Sequence, residues 1–393
     1  MVFSTIEFNF FKVIYIMIKN LLIIILTSII TIKSFDIVYG YINSDDIVSK
    51  GTNITNRSIV LREFGKPGTY LNSPTKNYHA AASNLEFKEY EIIIDRDGFI
   101  SSSNDYKKYD FKKQLNKINP EYADIIFFGG STTEGLFVNH KDRFPSVVEN
   151  DISTIIKKQI RVLNSGVSGN HTLHSIFLLQ AKGLKYKPKI AVLMNNVNDY
   201  SLLSKTGSYF KAPPNRSIID IGDNSRTWIS YKILRKIKNV LMPHIYDGFL
   251  RDYKYIIFKS PDDFESIRGN KLFSPEVALL EYEKAVNTFV SICLDWNIEP
   301  ILMTQANRID PTVERHYFSE KDKAELDIYW EYHELFNNKL REIAKNKKVK
   351  LIDLALSLVN GKKQYIYDTV HLNSEGSRLV GNIISEQLVE YFE

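Results

Sequence analysis

ADIIFFGGSTTEG, residues 123–135, runs from a continuous apolar stretch into two glycines and three consecutive hydroxyl residues. Ile125, Ile126, Phe127 and Phe128 show no alternation of apolar and polar positions. A strand built from them must be covered on both faces, which is the mark of a parallel sheet. The glycines that follow mark a turn, and Ser131 after a strand suits a turn or a helix start.

The same alternation extends outward from this stretch. IRVLN at 160–164, KIAVLM at 189–194, EPILMT at 299–304 and VKLIDL at 349–354 read as further buried strands. Helical periodicity separates them, near 145–158, 174–184, 274–296 and 323–345, with a last helix from 374 to the end. Strands that alternate with amphipathic helices predict a three-layer α/β/α sandwich. Five such strands fit a flavodoxin-like, doubly wound parallel sheet, whose ligand site lies at the carboxyl ends of the strands. Residues 36–122 form a leader of short strands and loops, expected as an extra sheet packed on the main domain. Turn signals stand there at Gly65-Lys66-Pro67-Gly68 and Asp95-Arg96-Asp97-Gly98.

Between 200 and 273 the alternation breaks, and this stretch reads as an insertion in a domain covering 123–393. Residues 228–241 within it have Ile229, Ile233, Ile237 and Val240 on one helical face and several basic residues elsewhere. That pattern fits a lid helix with a solvated basic side, or a helix lying on an anionic membrane surface.

The averages of the 393-residue chain are ordinary: 44% hydrophobic, 25% charged, net charge +5. They exclude wholesale disorder and a polytopic membrane protein, and the dispersed charge gives no footprint for nucleic acid. The single cysteine, Cys293, excludes an intramolecular disulfide and a cysteine-built metal site. The apolar residues are unevenly spread, however. Residues 9–32 are almost wholly apolar, with Lys12 and Lys19 ahead of a charge-free core at 20–32. Residues 1–35 therefore read as an uncleaved membrane anchor. A cleaved signal peptide and a buried soluble helix are the alternatives. The two lysines and the terminal amine precede the core, and Asp36, Asp45 and Asp46 follow it. The positive-inside rule leaves the N-terminus inside and the rest of the chain outside the cytoplasmic membrane.

Four polar segments stand at strand ends: Gly129 to Gly135, Asn164 to Asn170, Asn195 to Asp199, and Asp368-Thr369-Val370-His371 before the last helix. A doubly wound sheet brings these ends to one edge. Acyl transfer needs the groups they carry. A serine needs a base, the base needs a carboxylate to hold its tautomer, and the tetrahedral intermediate needs fixed donors for its oxyanion. Ser131, His371 and Asp368 can fill the first three roles. The N–H groups of Ser131 and Gly169 and the amide of Asn198 can donate. His171 and His174 are rival bases near the second segment, His140 reads as a loop residue, and Glu134 either meets substrate or holds the turn. Asn53, Asn56, Asn170 and Asn215 begin N-x-Ser/Thr sequons.

These four segments, in this order, resemble the blocks of the SGNH hydrolases, also called the GDSL esterase/lipase family. The resemblance covers about 123–200 and 275–393. It implies Ser131 as nucleophile, Gly169 and Asn198 in the oxyanion hole, His371 as base and Asp368 as its partner. The chain departs from the family pattern at Gly130 (aspartate in the pattern), Thr132 (leucine) and Asn196 (glycine). The leader and anchor resemble membrane-tethered members associated with surface polysaccharides.

The expected function is an extracytoplasmic serine esterase acting on an acyl ester, with O-acetyl on a surface glycan as a candidate substrate. Two alternatives use the same fold: an O-acyltransferase acting on a cell-surface glycan with the same triad, and a non-catalytic glycan-binding or assembly protein. No metal or cofactor is expected. The sequence has no phosphate-binding Gly-x-x-x-x-Gly-Lys-Ser/Thr loop, no His-Glu-x-x-His, and no Gly-x-Ser-x-Gly elbow around Ser131.

Overall fold

A computed structural model describes residues 2–42, 61–64, 68–74, 84–95, 97–101, 122–211, 274–308, 320–358 and 362–393. The helix expected at 228–241 and the sequons at Asn53, Asn56 and Asn215 lie outside the described residues. Two compact units divide the chain.

One unit contains α1, Val2–Ile42. Its segment Tyr15–Val38 is long and apolar enough to cross a membrane or to serve as a signal sequence, and its large side chains are exposed.

Among the described residues, the other unit holds the strands and the remaining helices. Its elements are β1 (Gly68–Asn72), β2 (Tyr90–Ile94), β3 (Ile100–Ser101), β4 (Ile125–Gly129), α2 (Ser131–Glu134), α3 (Phe144–Ile156), β5 (Val162–Asn164), α4 (Thr172–Leu178), β6 (Ile190–Met194), α5 (Val197–Thr206), α6 (Pro275–Asp295), β7 (Glu299–Met303), α7 (Glu320–Lys347), β8 (Lys350–Ile352), α8 (Leu354–Ser357), α9 (Lys362–Tyr365) and α10 (Ser374–Leu388). The strand order is β1-β2-β3-β5-β4-β6-β7-β8. From β5 to β8 every pairing is parallel. Counted along the chain, those five strands run 2-1-3-4-5, a flavodoxin-like doubly wound order, within a sheet of eight strands rather than the five expected.

Sheet side chains alternate between two cores, as the two-residue period of a strand requires. Ile125, Phe127, Val192 and Ile301 pack with Phe144 and Val148 of α3 and with Val380 and Ile384 of α10. Ile126, Phe128, Leu193 and Leu302 pack against Ile176, Leu203, Phe289 and Phe336 from α4, α5, α6 and α7. This is the three-layer arrangement. Pro145 stands in the first turn of α3, where the missing N–H costs nothing. Asn373 caps α10 by accepting from Gly376 N–H at 2.8 Å.

The leader corrects one expectation. Its strands do not form a second sheet packed on the domain; they extend the main sheet. β1 and β2 pair antiparallel, and β3 joins the edge of β5 through Ile100 opposite Asn164 and Ser101 opposite Leu163. An edge strand left open would template further pairing, and β3 covers that of β5. The expected turn between β2 and β3 is present. Asp95 Oδ1 accepts from the N–H groups of Asp97 and Phe99, both at 2.9 Å. The helix expected over 174–184 begins at Thr172 and widens into a π turn over Leu179–Gly183. The alternation also persists beyond 200: α5 runs to Thr206, and a short turn follows at Tyr209–Lys211.

Candidate active site

β4 ends at Gly129, and the chain turns through Gly130 into α2, with Ser131 as its first residue. Gly130 has no space for a side chain. A Cβ there would lie 2.4 Å from Asn198 Nδ2 and 3.1 Å from the Asn170 carbonyl oxygen. The aspartate of the resembled pattern therefore cannot stand at this position unless those groups move.

His371 reaches Ser131 from the loop that precedes α10. Its Nε2 lies 2.6 Å from Ser131 Oγ, and its Nδ1 lies 2.5 Å from Asp368 Oδ2. An ionised carboxylate only accepts, so the Nδ1 proton faces Asp368 and Nε2 is left to accept from the serine hydroxyl. The other carboxylate oxygen, Asp368 Oδ1, accepts from the N–H groups of Val370 at 3.0 Å and His371 at 2.8 Å. The Tyr367 ring lies nearly parallel to the imidazole, with centroids 5.7 Å apart, and its hydroxyl donates to the Leu136 carbonyl at 3.1 Å. His371 and Asp368 keep 17% and 23% of their side-chain surface exposed, enough for a small molecule to reach them.

The loop after β5 closes against the short helix that this serine begins. Asn164 donates to the Thr133 carbonyl at 2.7 Å and accepts from Gly166 N–H at 2.8 Å. Ser168 donates through both N–H and hydroxyl to Glu134, each at 2.6 Å. Glu134 thus holds the turn. Burial pushes its carboxyl above the usual carboxylate range, while the Ser168 bonds and the Arg143 guanidinium pull it down. Burial lowers Arg143 to about 10. Arg62, from the leader, donates to the Ser168 carbonyl at 3.0 Å. Gly169 adopts φ +78°, a left-handed conformation that favours glycine.

Asn198 sits in the first turn of α5, and its amide donates to the Asn170 carbonyl at 2.9 Å. An amide nitrogen carries two donors, of which this uses one. The next residue, Asp199, is fully buried. Its Oδ1 accepts from Thr172 N–H at 3.0 Å and from the Tyr209 hydroxyl. Burial pushes the Asp199 carboxyl up to about 6 against these bonds, and pushes the Tyr209 phenol well above its ordinary value.

Ser131, His371 and Asp368 are therefore brought into one hydrogen-bonded line. Asn198 abuts Gly130, the residue before Ser131, and is bonded to Asn170, the residue after Gly169. The rival bases lie elsewhere: His171 and His174 are buried with ring centroids 3.7 Å apart and planes tilted by 31°, and His174 Nδ1 accepts from His171 N–H at 3.2 Å. His140 is buried in a short turn. The sequon residue Asn170 is also fully buried. Cys293 is buried, which pushes its thiol up to about 12 and leaves no accessible thiolate. Among the described residues, no group of three His, Cys, Asp or Glu side chains gathers as a metal ligand set would.

Sequence reasoning missed the polar residues that follow β7. Gln305 and Asn337, both buried, meet Thr132, Val197 and Asn196 behind the serine. Arg308 donates to the Ile366 and Tyr367 carbonyls at 3.1 and 3.2 Å. The available signal was the polar run Thr304-Gln305-Ala306-Asn307 at a further strand end.

No family model matches the chain. An uncharacterized lipoprotein of Bacillus subtilis, YqeF, is 29% identical over 86 residues, 21% of this chain and 35% of that one. The chain thus spans about a third of that relative's length. Among solved structures, the acetyl xylan esterase AlAXEase is 18% identical at a TM-score of 0.39, covering 67% of this chain and 98% of that one. The acetylxylan esterase Axe2 of Geobacillus stearothermophilus is 15% identical at 0.39, covering 69% and 96%. A lipase/acylhydrolase of Enterococcus faecalis is 15% identical at 0.38, covering 68% and 96%.

Proposed function

We propose that the chain is a serine esterase of the SGNH type, tethered by its N-terminal helix with the α/β unit outside the cytoplasmic membrane. One observation carries the reading: His371 bridges Ser131 Oγ at 2.6 Å and Asp368 Oδ2 at 2.5 Å, at the carboxyl edge of a doubly wound sheet. That geometry lets the imidazole take the serine proton as the hydroxyl attacks, with the carboxylate stabilising the imidazolium.

Ser131 Oγ attacks the ester carbonyl carbon, and its proton passes to His371 Nε2. The N–H groups of Ser131 and Gly169 and the amide of Asn198 receive the oxyanion. The intermediate collapses, the ester C–O bond breaks, and His371 returns its proton to the leaving alkoxide. Water then gives a proton to His371 and attacks the acyl-serine; the acyl C–Oγ bond breaks and His371 returns the proton to Ser131 Oγ. The acid leaves and Ser131 is restored.

The substrate is an acyl ester. An O-acetyl group on a surface glycan is the form we favour, on the resemblance of leader and anchor to membrane-tethered members associated with surface polysaccharides. The full chain in detergent tests both levels. A fluorophosphonate labels wild type and not Ser131→Ala, and wild type releases acetate from an O-acetylated glycan. Absence of labelling, or equal labelling of the alanine variant, removes the enzyme reading. Labelling without acetate release removes the glycan.

A further inference from the structure

The three segments that bring the reactive groups together are joined behind the site by two buried side chains, Gln305 and Thr132. Gln305, just after β7, is 4% exposed. Its Nε2 donates to Thr132 Oγ1 at 2.9 Å, and its Oε1 accepts from Val197 N–H at 3.1 Å. Thr132 Oγ1 in turn donates to the Val370 carbonyl at 3.5 Å, the long limit of such a bond. Thr132 is the neighbour of Ser131, Val197 the neighbour of Asn198, and Val370 the neighbour of His371. Gln305 is itself clamped by Asn337, which accepts from its backbone N–H at 3.1 Å and donates to its carbonyl at 2.9 Å.

We infer that Gln305 and Thr132 form a positioning relay that sets the register of Ser131, His371 and Asn198. The inference rests on the esterase reading above. Its chemistry is specific to an amide facing a hydroxyl. Gln305 must accept from an N–H and donate to a hydroxyl at once, which neither a carboxylate nor an apolar side chain can do. With its oxygen satisfied by Gln305, the Thr132 hydroxyl keeps its own proton for the Val370 carbonyl. A glutamate at 305 would draw that proton to itself and release the His371 loop. Thr132 stands where the resembled pattern has leucine, which could not take part.

Thr132→Val removes the hydroxyl and keeps the shape, and Thr132→Ser restores the hydroxyl. Gln305→Met removes the amide. Steady-state kinetics on a soluble acyl ester and the rate of fluorophosphonate labelling are measured on each, with the thermal midpoint as a control. Misplacement of reacting groups by a fraction of an ångström predicts a fall in kcat of about tenfold to a hundredfold for Thr132→Val and Gln305→Met. KM stays within about twofold and labelling slows in parallel. Thr132→Ser returns to within about threefold of wild type. The double variant falls no further than the worse single one, since both break the same relay. Wild-type kcat in Thr132→Val, or loss in Thr132→Ser equal to that in the valine variant, overturns the relay while leaving Ser131 as nucleophile. A wild-type protein that is not labelled overturns the esterase reading and the relay together.

Discussion

Two aspartates on either side of the serine show how differently one side chain can be used. Asp368 lies in the loop before α10 with 23% of its side chain exposed, and it meets an imidazole that a substrate can reach. Asp199 lies in α5, fully buried, and meets a phenol and a backbone N–H. Both carboxylates are held by backbone donors. Only Asp368 has a partner that can change charge during a reaction. Asp199 ties the loop carrying Gly169 and Asn170 to the helix carrying Asn198, at an energetic cost visible in its raised pKa.

The largest effect expected from this contrast is on turnover. Asp368→Asn keeps Oδ1 as an acceptor for Val370 and His371 but removes the charge beside Nδ1. The result expected is a fall in kcat of about 10³–10⁴ at neutral pH with little change in the thermal midpoint. A loss below tenfold would put Asp368 in the same structural class as Asp199. Next is Asn198→Ala, with an expected cost of about 10²–10³ in kcat and a nearly constant KM. An unchanged kcat removes Asn198 from the oxyanion hole.

Asp199→Asn acts on stability. The folded-state value of about 6 lies above the ordinary 3.8. The native state thus binds its proton more tightly than the unfolded chain. The stability this contributes is present below pH 3.8 and lost as pH rises through about 6. Asparagine cannot ionise, so it escapes the loss. Urea unfolding should show the variant gaining on wild type by roughly 2 kcal/mol between pH 4 and pH 7. A constant difference across that range means Asp199 does not titrate there. The smallest effect belongs to Tyr209→Phe, which removes a donor to Asp199 and leaves the Thr172 N–H. A loss of about 1–2 kcal/mol is expected by denaturant titration, larger at pH 7 than at pH 4.

The two aspartates also differed in legibility. Asp368 was readable because an imidazole base needs a carboxylate partner, and Asp368-Thr369-Val370-His371 carries both groups in the spacing that the resemblance implies. Asp199 was readable only as a companion of Asn198, because its partners Thr172 and Tyr209 come from separate segments. β4 and β6 were legible as continuous apolar runs, and β5, β7 and β8 as shorter apolar runs recurring between helical segments. β3 was not, since two residues, Ile100 and Ser101, carry no periodicity, and their place beside β5 is set by tertiary pairing alone. Gln305 escaped notice for a related reason: a polar residue after a strand reads as turn chemistry until the side chains facing it are known.

The contact between Ser131 and His371 spans 240 positions of sequence. On the proposed mechanism, a chain made from its amino end carries the serine long before His371 exists, and the hydroxyl stays inert through most of synthesis. Reactivity appears when the last helix docks against α3, because the base arrives with it. Labelling of Ser131, followed during refolding, then serves as a clock for closure of the whole sheet, and it should lag the burial of the central strands rather than accompany it.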